Sequence, residues 1–229
     1  MSVTERGQET GLRVLSPQQQ RYFEAFGFVV VPGLFRDDIT EIDAAFEAVF
    51  ADPDTEAWEM IHEGYRHEPR VALGDMADRH PRLAAVRDDP RMHDVAHDVL
   101  GPGAIFPQSG GNIFKCEAEW HLDGRTTHVE SRTIKFALYL DPLVKGVNAL
   151  RVMPGSHQPS AYADLVEELC GFGETTANNF GVPGEDLPYW EIASEPGDLV
   201  LYDFQTQHAS YGSTAPRRVF NLNGCVPTA

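Results

Sequence analysis

The residues of this chain best suited to chemistry are His121 and Asp123, with Leu122 between them, and a lone His208 far downstream. Side chains alternate along a strand, so the two ends of a His-x-Asp triplet project from one side of it. His208 lies in a β-like run, Asp198 to Tyr211, able to carry a second imidazole to the same place. Two imidazoles and a carboxylate hold a non-haem Fe(II) on one face of its octahedron and leave the opposite face open to a co-substrate and oxygen. Zinc accepts the same donors, so the ligands alone do not name the metal. An isolated His-x-Asp also arises by chance, as a surface histidine beside a turn aspartate. Trp120 in front of the triplet and Pro216-Arg217-Arg218 behind the late histidine make this combination more specific.

Two other arrangements invite chemistry and are set aside. His93 and His97 stand one helical turn apart around Asp94, like a zinc-protease motif with Asp in place of Glu. Met92, Val95, Ala96, Val99 and Leu100 form the apolar stripe of that helix, which leaves both histidines on a solvated flank with no third ligand nearby. Ser156-His157 lacks the strand-turn-helix context of a nucleophile elbow and reads as part of a turn.

The elements that must position the triplet fall into two halves. Ser16-Pro17-Gln18-Gln19 predicts a helix start, with a hydroxyl N-cap, proline at N1 and glutamine at N3, and Gly27 predicts its end. Phe28–Val31 reads as a short strand, 37–50 as a helix, 52–92 as loops with short helical pieces, and 91–100 as a further helix. From Ala104 onward the pattern becomes short apolar or alternating runs at 104–108, 112–118, 132–140, 147–153, 198–204 and 217–223. Helices first and antiparallel strands after predict an α+β, mainly β domain with an N-terminal helical cover. A helix is expected near 160–170 and a long functional loop from 171 to about 190, a natural lid. Residues 1–14 read as a flexible leader and 15–229 as one domain.

Composition narrows the function classes. A chain of 229 residues, 42% hydrophobic and 23% charged, suits one sizeable core. A net charge of −17 argues against nucleic acid and against anionic membrane surfaces. It also weakly favours a neutral or cationic substrate. Between Lys115 and Arg151, however, six basic residues face five acidic ones, so an anionic co-substrate is compatible with the site. Cys116, Cys170 and Cys225 form no C-x-x-C, no apolar run approaches a membrane span, and the N-terminus has no signal-peptide core. A cytoplasmic protein, monomer or homodimer, is expected.

Four stretches, in order, resemble a known family. They are Phe26-Gly27-Phe28-Val29-Val30-Val31-Pro32-Gly33, then Trp120-His121-Leu122-Asp123-Gly124, then Asn148-Ala149-Leu150-Arg151-Val152-Met153-Pro154-Gly155-Ser156-His157, and finally Gly197–Asp203 leading to His208-Ala209-Ser210 and Pro216-Arg217-Arg218. The chain resembles the phytanoyl-CoA dioxygenase-like branch of the Fe(II)/2-oxoglutarate oxygenases, which includes ectoine hydroxylase. The resemblance spans about Phe23 to Asn223 and implies a double-stranded β-helix, the jelly-roll or cupin-like core. It implies Fe(II) on His121, Asp123 and His208, with 2-oxoglutarate and O2 as co-substrates and a small molecule as substrate.

The resemblance also assigns the far carboxylate of 2-oxoglutarate to the first arginine after Pro216, which is Arg217, with Arg218 as competitor. A guanidinium suits that task, being planar, bidentate and always charged. Strand parity puts Arg217 on one face with Asn221 and Asn223, and Arg218 on the other with Phe220 and Leu222. Gln108 and Asn112 resemble the strand that lines the co-substrate pocket in ectoine hydroxylase, although polar groups at a β-bulge beside Gly110-Gly111 are an equal reading. Ser210 is a candidate donor to the co-substrate, or else a turn serine. Arg125, Thr127 and His128 follow the triplet where a pocket mouth belongs and are candidate substrate contacts. The rival readings are a cupin-like metal enzyme without 2-oxoglutarate and a non-catalytic binding domain of the same fold.

Overall fold

The computed structural model describes residues 13–55, 58–60, 70–114, 117–123, 132–158, 186–210 and 215–227. The chain begins with α1 (Pro17–Phe26), β1 (Phe28–Val31) and α2 (Ile39–Ala51), followed by β2 (Trp58–Met60) and β3 (Arg70–Gly74). Three helices follow, α3 (Met76–Arg79), α4 (Pro81–Arg87) and α5 (Pro90–Leu100). The remaining described elements are strands: β4 (Ile105–Phe114), β5 (Ala118–His121), β6 (Thr133–Tyr139), β7 (Leu150–Val152), β8 (Trp190–Ile192), β9 (Leu199–Asp203), β10 (His208–Ser210) and β11 (Arg217–Cys225). A seven-stranded sheet in the order β1-β9-β6-β11-β4-β3-β2 faces a four-stranded sheet in the order β5-β10-β7-β8. All pairings within them are antiparallel.

Local chemistry explains the start. Ser16 and Gln19 form the expected capping box, and Gly27 ends α1 at φ 80°, a left-handed cap. A Cβ on Gly27 would lie 2.5 Å from both His157 Nδ1 and Thr206 Oγ1, so three segments meet where glycine leaves room. Val14 and Leu15 donate their backbone N–H groups to Asp98 on α5, tying the chain start to that helix. Of the expected leader, residues 1–12 lie outside the described residues, as do the expected helix near 160–170 and most of the loop after it.

Alternation divides the large sheet into two faces. Ile134, Phe136 and Leu138 of β6, with Leu199 and Leu201 of β9 and Phe220 and Leu222 of β11, pack under α2, α4 and α5. Burying such side chains contributes roughly 1.5–3 kcal/mol each. Ala137, Tyr139, Val200, Tyr202 and Val219 point the other way and meet Leu150, Val152 and Ile192 of the small sheet. The site lies on this second face.

Three expectations need correction. The separate strands at 104–108 and 112–118 are one strand through residue 114, and the ladder runs unbroken across Gly110↔Asn221 and Gly111↔Phe220, so no bulge sits there. The two glycines serve close approach instead. A Cβ on Gly111 would stand 2.8 Å from Met76 Cε and 2.9 Å from Phe50, while one on Gly110 would stand 3.2 Å from the Asn221 amide. Trp190 begins strand β8 rather than ending a loop, and β2 and β3 extend the large sheet where loops and short helices are expected. Both are short, and they lie in a proline- and charge-rich stretch; pairing of β3 with β4, and of β2 with β3, decides their state.

Candidate metal centre

The antiparallel pairing of β5 with β10 sets His208 directly opposite His121, with ring centroids 4.1 Å apart. Asp123 follows two residues later, its Oδ2 3.7 Å from His208 Nε2. One ligand atom from each of the three residues lies within 4.8 Å of the others, and this is the one such cluster among the described residues. His208 is buried, and its Nδ1 lies 3.0 Å from the Thr206 carbonyl. A carbonyl only accepts, so Nδ1 carries the proton and Nε2 presents its lone pair toward Asp123. That is the tautomer a metal ligand needs.

Burial pushes the Asp123 carboxyl up, but the Lys135 ammonium and the two histidines outweigh it and hold the group well below the usual carboxylate range. Lys135 Nζ stands 2.6 Å from Asp123 Oδ2. Burial draws His208 below the ordinary histidine value, against the pull of Asp123. Tyr139 is pushed up to about 12 and Tyr202 well above 10, both by burial, so both phenols stay protonated beside the cleft.

Arg217 opens β11 and is 3% exposed. It donates to Ser210 Oγ at 2.6 Å and to the Asn148 carbonyl at 3.2 Å, and its guanidinium stacks 4.7 Å above the Phe114 ring. Ser210 Oγ also accepts from the Ala118 N–H at 3.1 Å. With both lone pairs engaged, its hydroxyl proton remains to donate. Arg218 points to the opposite face, where Asp141, Asp43 and Glu47 surround it at 2.6–2.8 Å. Of the two competing arginines, Arg217 is the one on the cleft.

Asn112 lines the cleft and donates to Asn221, which donates to Asn223, which donates to Gln108. Gln108 occupies the exposed end of this amide ladder and is absent from the cleft lining among the described residues. Arg125, Thr127 and His128 lie outside the described residues. Trp120 is buried against Leu187 and Ala209 behind the ligand strands. His93 and His97 are exposed on α5, as the helix stripe predicts.

Lys135, Tyr139, Tyr202 and Arg70 also line the cleft and escape the sequence reading. A period-two reading of Thr133 to Tyr139 puts Lys135 on one face with Ala137 and Tyr139, a charge in an otherwise apolar strand, and was the available clue. The Asn148–His157 stretch turns out to be scaffolding. Asn148 holds Arg217, β7 pairs with β10 beside His208, and Ser156 Oγ accepts from the Gln207 N–H.

A family model for phytanoyl-CoA dioxygenase matches residues 23–219. No curated protein matches the sequence. Among solved structures, EctD from S. alaskensis with 2-oxoglutarate and 5-hydroxyectoine is 22% identical, with a TM-score of 0.68 over 97% of this chain and 79% of that one. The non-heme alpha-ketoglutarate-dependent carbocyclase SnoK from nogalamycin biosynthesis is 18% identical, with a TM-score of 0.70 over 92% of this chain and 84% of its own. HygX from Streptomyces hygroscopicus, with nickel and 2-oxoglutarate bound, is 17% identical, with a TM-score of 0.67 over 93% and 88%. At these identities the likeness establishes the shared jelly-roll fold.

Proposed function

The chain belongs to the phytanoyl-CoA dioxygenase family, and on that premise we propose that it is an Fe(II)- and 2-oxoglutarate-dependent oxygenase of a small molecule. The observation that carries this reading is the convergence of His121, Asp123 and His208 within 4.8 Å on a cleft also lined by Arg217. The donor set fits Fe(II), which takes two imidazoles and one carboxylate on one face of its octahedron.

When bound, the iron and keto acid supply the oxidising chemistry, with 2-oxoglutarate and O2 consumed, succinate and CO2 released, and one oxygen atom delivered to substrate. The chain's own residues position and shield. The Thr206 carbonyl fixes the His208 ring so that Nε2 faces the metal position. Arg217, desolvated and stacked on Phe114, offers its fork to the far carboxylate of the keto acid, and Ser210 adds its hydroxyl proton. Asn112 supplies an uncharged amide to the same pocket. Tyr139, Tyr202 and Leu150 line the cleft and limit its water.

Arg125, Thr127 and His128, directly after the ligand pair, are assigned to substrate contact. An intact Asp123 leaves no vacant ligand position for a halide, which favours hydroxylation, desaturation or ring formation over halogenation. No described helix is long and apolar enough to cross a membrane.

The test is anaerobic absorbance of the metal-free protein titrated with Fe(II) and then 2-oxoglutarate. A visible metal-to-ligand charge-transfer band is expected, absent in His121→Ala and weakened in Arg217→Ala. Iron binding with no band on adding the keto acid would transfer the protein to the cupin-like reading. Absence of any iron binding would leave a binding domain.

A further inference from the structure

Lys135 is a cleft residue without a role so far. It lies on the cleft face of β6, opposite Tyr202 and Asn223 in the neighbouring strands. Its ammonium sits 5.6 Å from the Tyr202 ring and 5.5 Å from the Phe204 ring. Its side chain is 16% exposed, and its one ionic partner among the described residues is Asp123. The shared atom matters most. Lys135 Nζ holds Oδ2 at 2.6 Å, and the same Oδ2 is the carboxylate oxygen 3.7 Å from His208 Nε2. An ion drawn between those ligand atoms needs the oxygen that Lys135 already holds.

We propose that Lys135 is a built-in counter-cation of the metal site, neutralising Asp123 until a divalent ion displaces it from that oxygen. This inference rests on the metal-binding reading above. An ionised carboxylate desolvated without a partner is costly, so the lysine stabilises the metal-free protein. A dication arriving on Oδ2 comes within a few ångströms of the ammonium, where like charges repel strongly in a partly dry site. Lys135 therefore weakens metal binding and turns into the cleft once the metal is in. There its charge is available to the next anion that enters, and the described lining holds no carboxylate besides Asp123 to receive it. The local field at the site is thus opposite in sign to the net charge of the chain.

A purely structural ion pair predicts the reverse, because deleting Lys135 would loosen Asp123 and weaken the metal. The sign of the effect decides between them. Mn(II) titrations by calorimetry on the wild type, Lys135→Met, Lys135→Gln, Lys135→Arg and Asp123→Asn provide the test. Both neutral variants should bind Mn(II) about tenfold tighter than the wild type, and Lys135→Arg close to it. The metal-free neutral variants should melt below the wild type, with the gap closing when Mn(II) is added. A second measurement uses the wild type alone: acetylation of Lys135, read by peptide mass spectrometry, should rise when Mn(II) is added. Equal or weaker Mn(II) binding in folded neutral variants, or acetylation unchanged or lowered by Mn(II), would overturn the proposal. If the wild type binds Mn(II) no better than Asp123→Asn and the neutral variants also fail to bind, the metal-centre reading itself falls. If Asp123 is required but the neutral variants bind no tighter, only the role of Lys135 falls.

Discussion

Two adjacent arginines show how far single side chains can be read in advance. Parity alone separates Arg217 from Arg218, and the contacts agree: one lies over Phe114 in the cleft, the other inside a carboxylate ring under α2. Their substitutions should separate as well. Arg217→Lys keeps the charge but loses the fork, and is expected to raise the KM for 2-oxoglutarate about tenfold or more while Fe(II) affinity changes little. Arg218→Ala should leave that KM alone and lower stability by about 1–2 kcal/mol, measured by urea denaturation. The candidate ligands were legible because a three-residue spacing keeps His121 and Asp123 close, although β5 ends at His121 and Asp123 lies just past it. Lys135 was not, because a lone lysine in a strand has no motif, and only the position of Asp123 gives it meaning.

Helices and strands obey rules that sequence carries unevenly. The capped helix α1 is written in four residues, whereas β3 owes its existence to β4, and nothing local announces it. The Gly110-Gly111 pair misleads for the same reason, since a glycine pair reads as an interruption until both partner faces are known. Gly111→Ala is expected to cost about 1–3 kcal/mol by forcing Met76 and Phe50 aside, whereas Gly74→Ala, with nothing within 4 Å, should be close to neutral; thermal melts of the two variants compare them directly. Asp38, before α2, gathers Arg82 of α4 and Arg91 of α5 at 2.6 and 2.8 Å. The hydrogen bond from Arg91, reinforced by Arg82, lowers its carboxyl below the ordinary 3.8. A lowered native value gives stability that is fully present above the ordinary range and is lost as pH falls through the native value. Asp38→Asn should therefore cost about 1 kcal/mol at neutral pH, with Arg91 partly screened by solvent. The difference should shrink as pH falls through the native value of Asp38, below which both chains carry a neutral side chain. Denaturant midpoints across that pH range would check it.

For the whole molecule, a net charge of −17 means that folding gathers mutually repelling groups. Screening should relieve that repulsion, so raising NaCl from about 0.05 M to about 0.5 M is expected to increase Tm by roughly 2–4 °C. An unchanged or falling Tm would mean that ion pairs such as those around Arg218 and Asp38 dominate. The order of helices and strands was legible along much of the chain, β2 and β3 excepted, but their partition into sheets of seven and four strands was not, because register is a property of pairs. One junction ties these scales together. At Gly27 the end of α1 meets the turn Pro154–His157 and the segment just before His208: the Gly155 N–H donates to Phe26, Thr206 Oγ1 donates to the Gly27 carbonyl, and the Ser156 hydroxyl receives the Gln207 N–H. These contacts touch no reacting atom, yet they set where His208 stands. Descent should therefore treat the two motifs differently. A lineage that abandoned its iron would be free to lose His121 and Asp123 within few substitutions, while the glycine and the turn would persist for as long as the chain still folded, outliving the chemistry they once served.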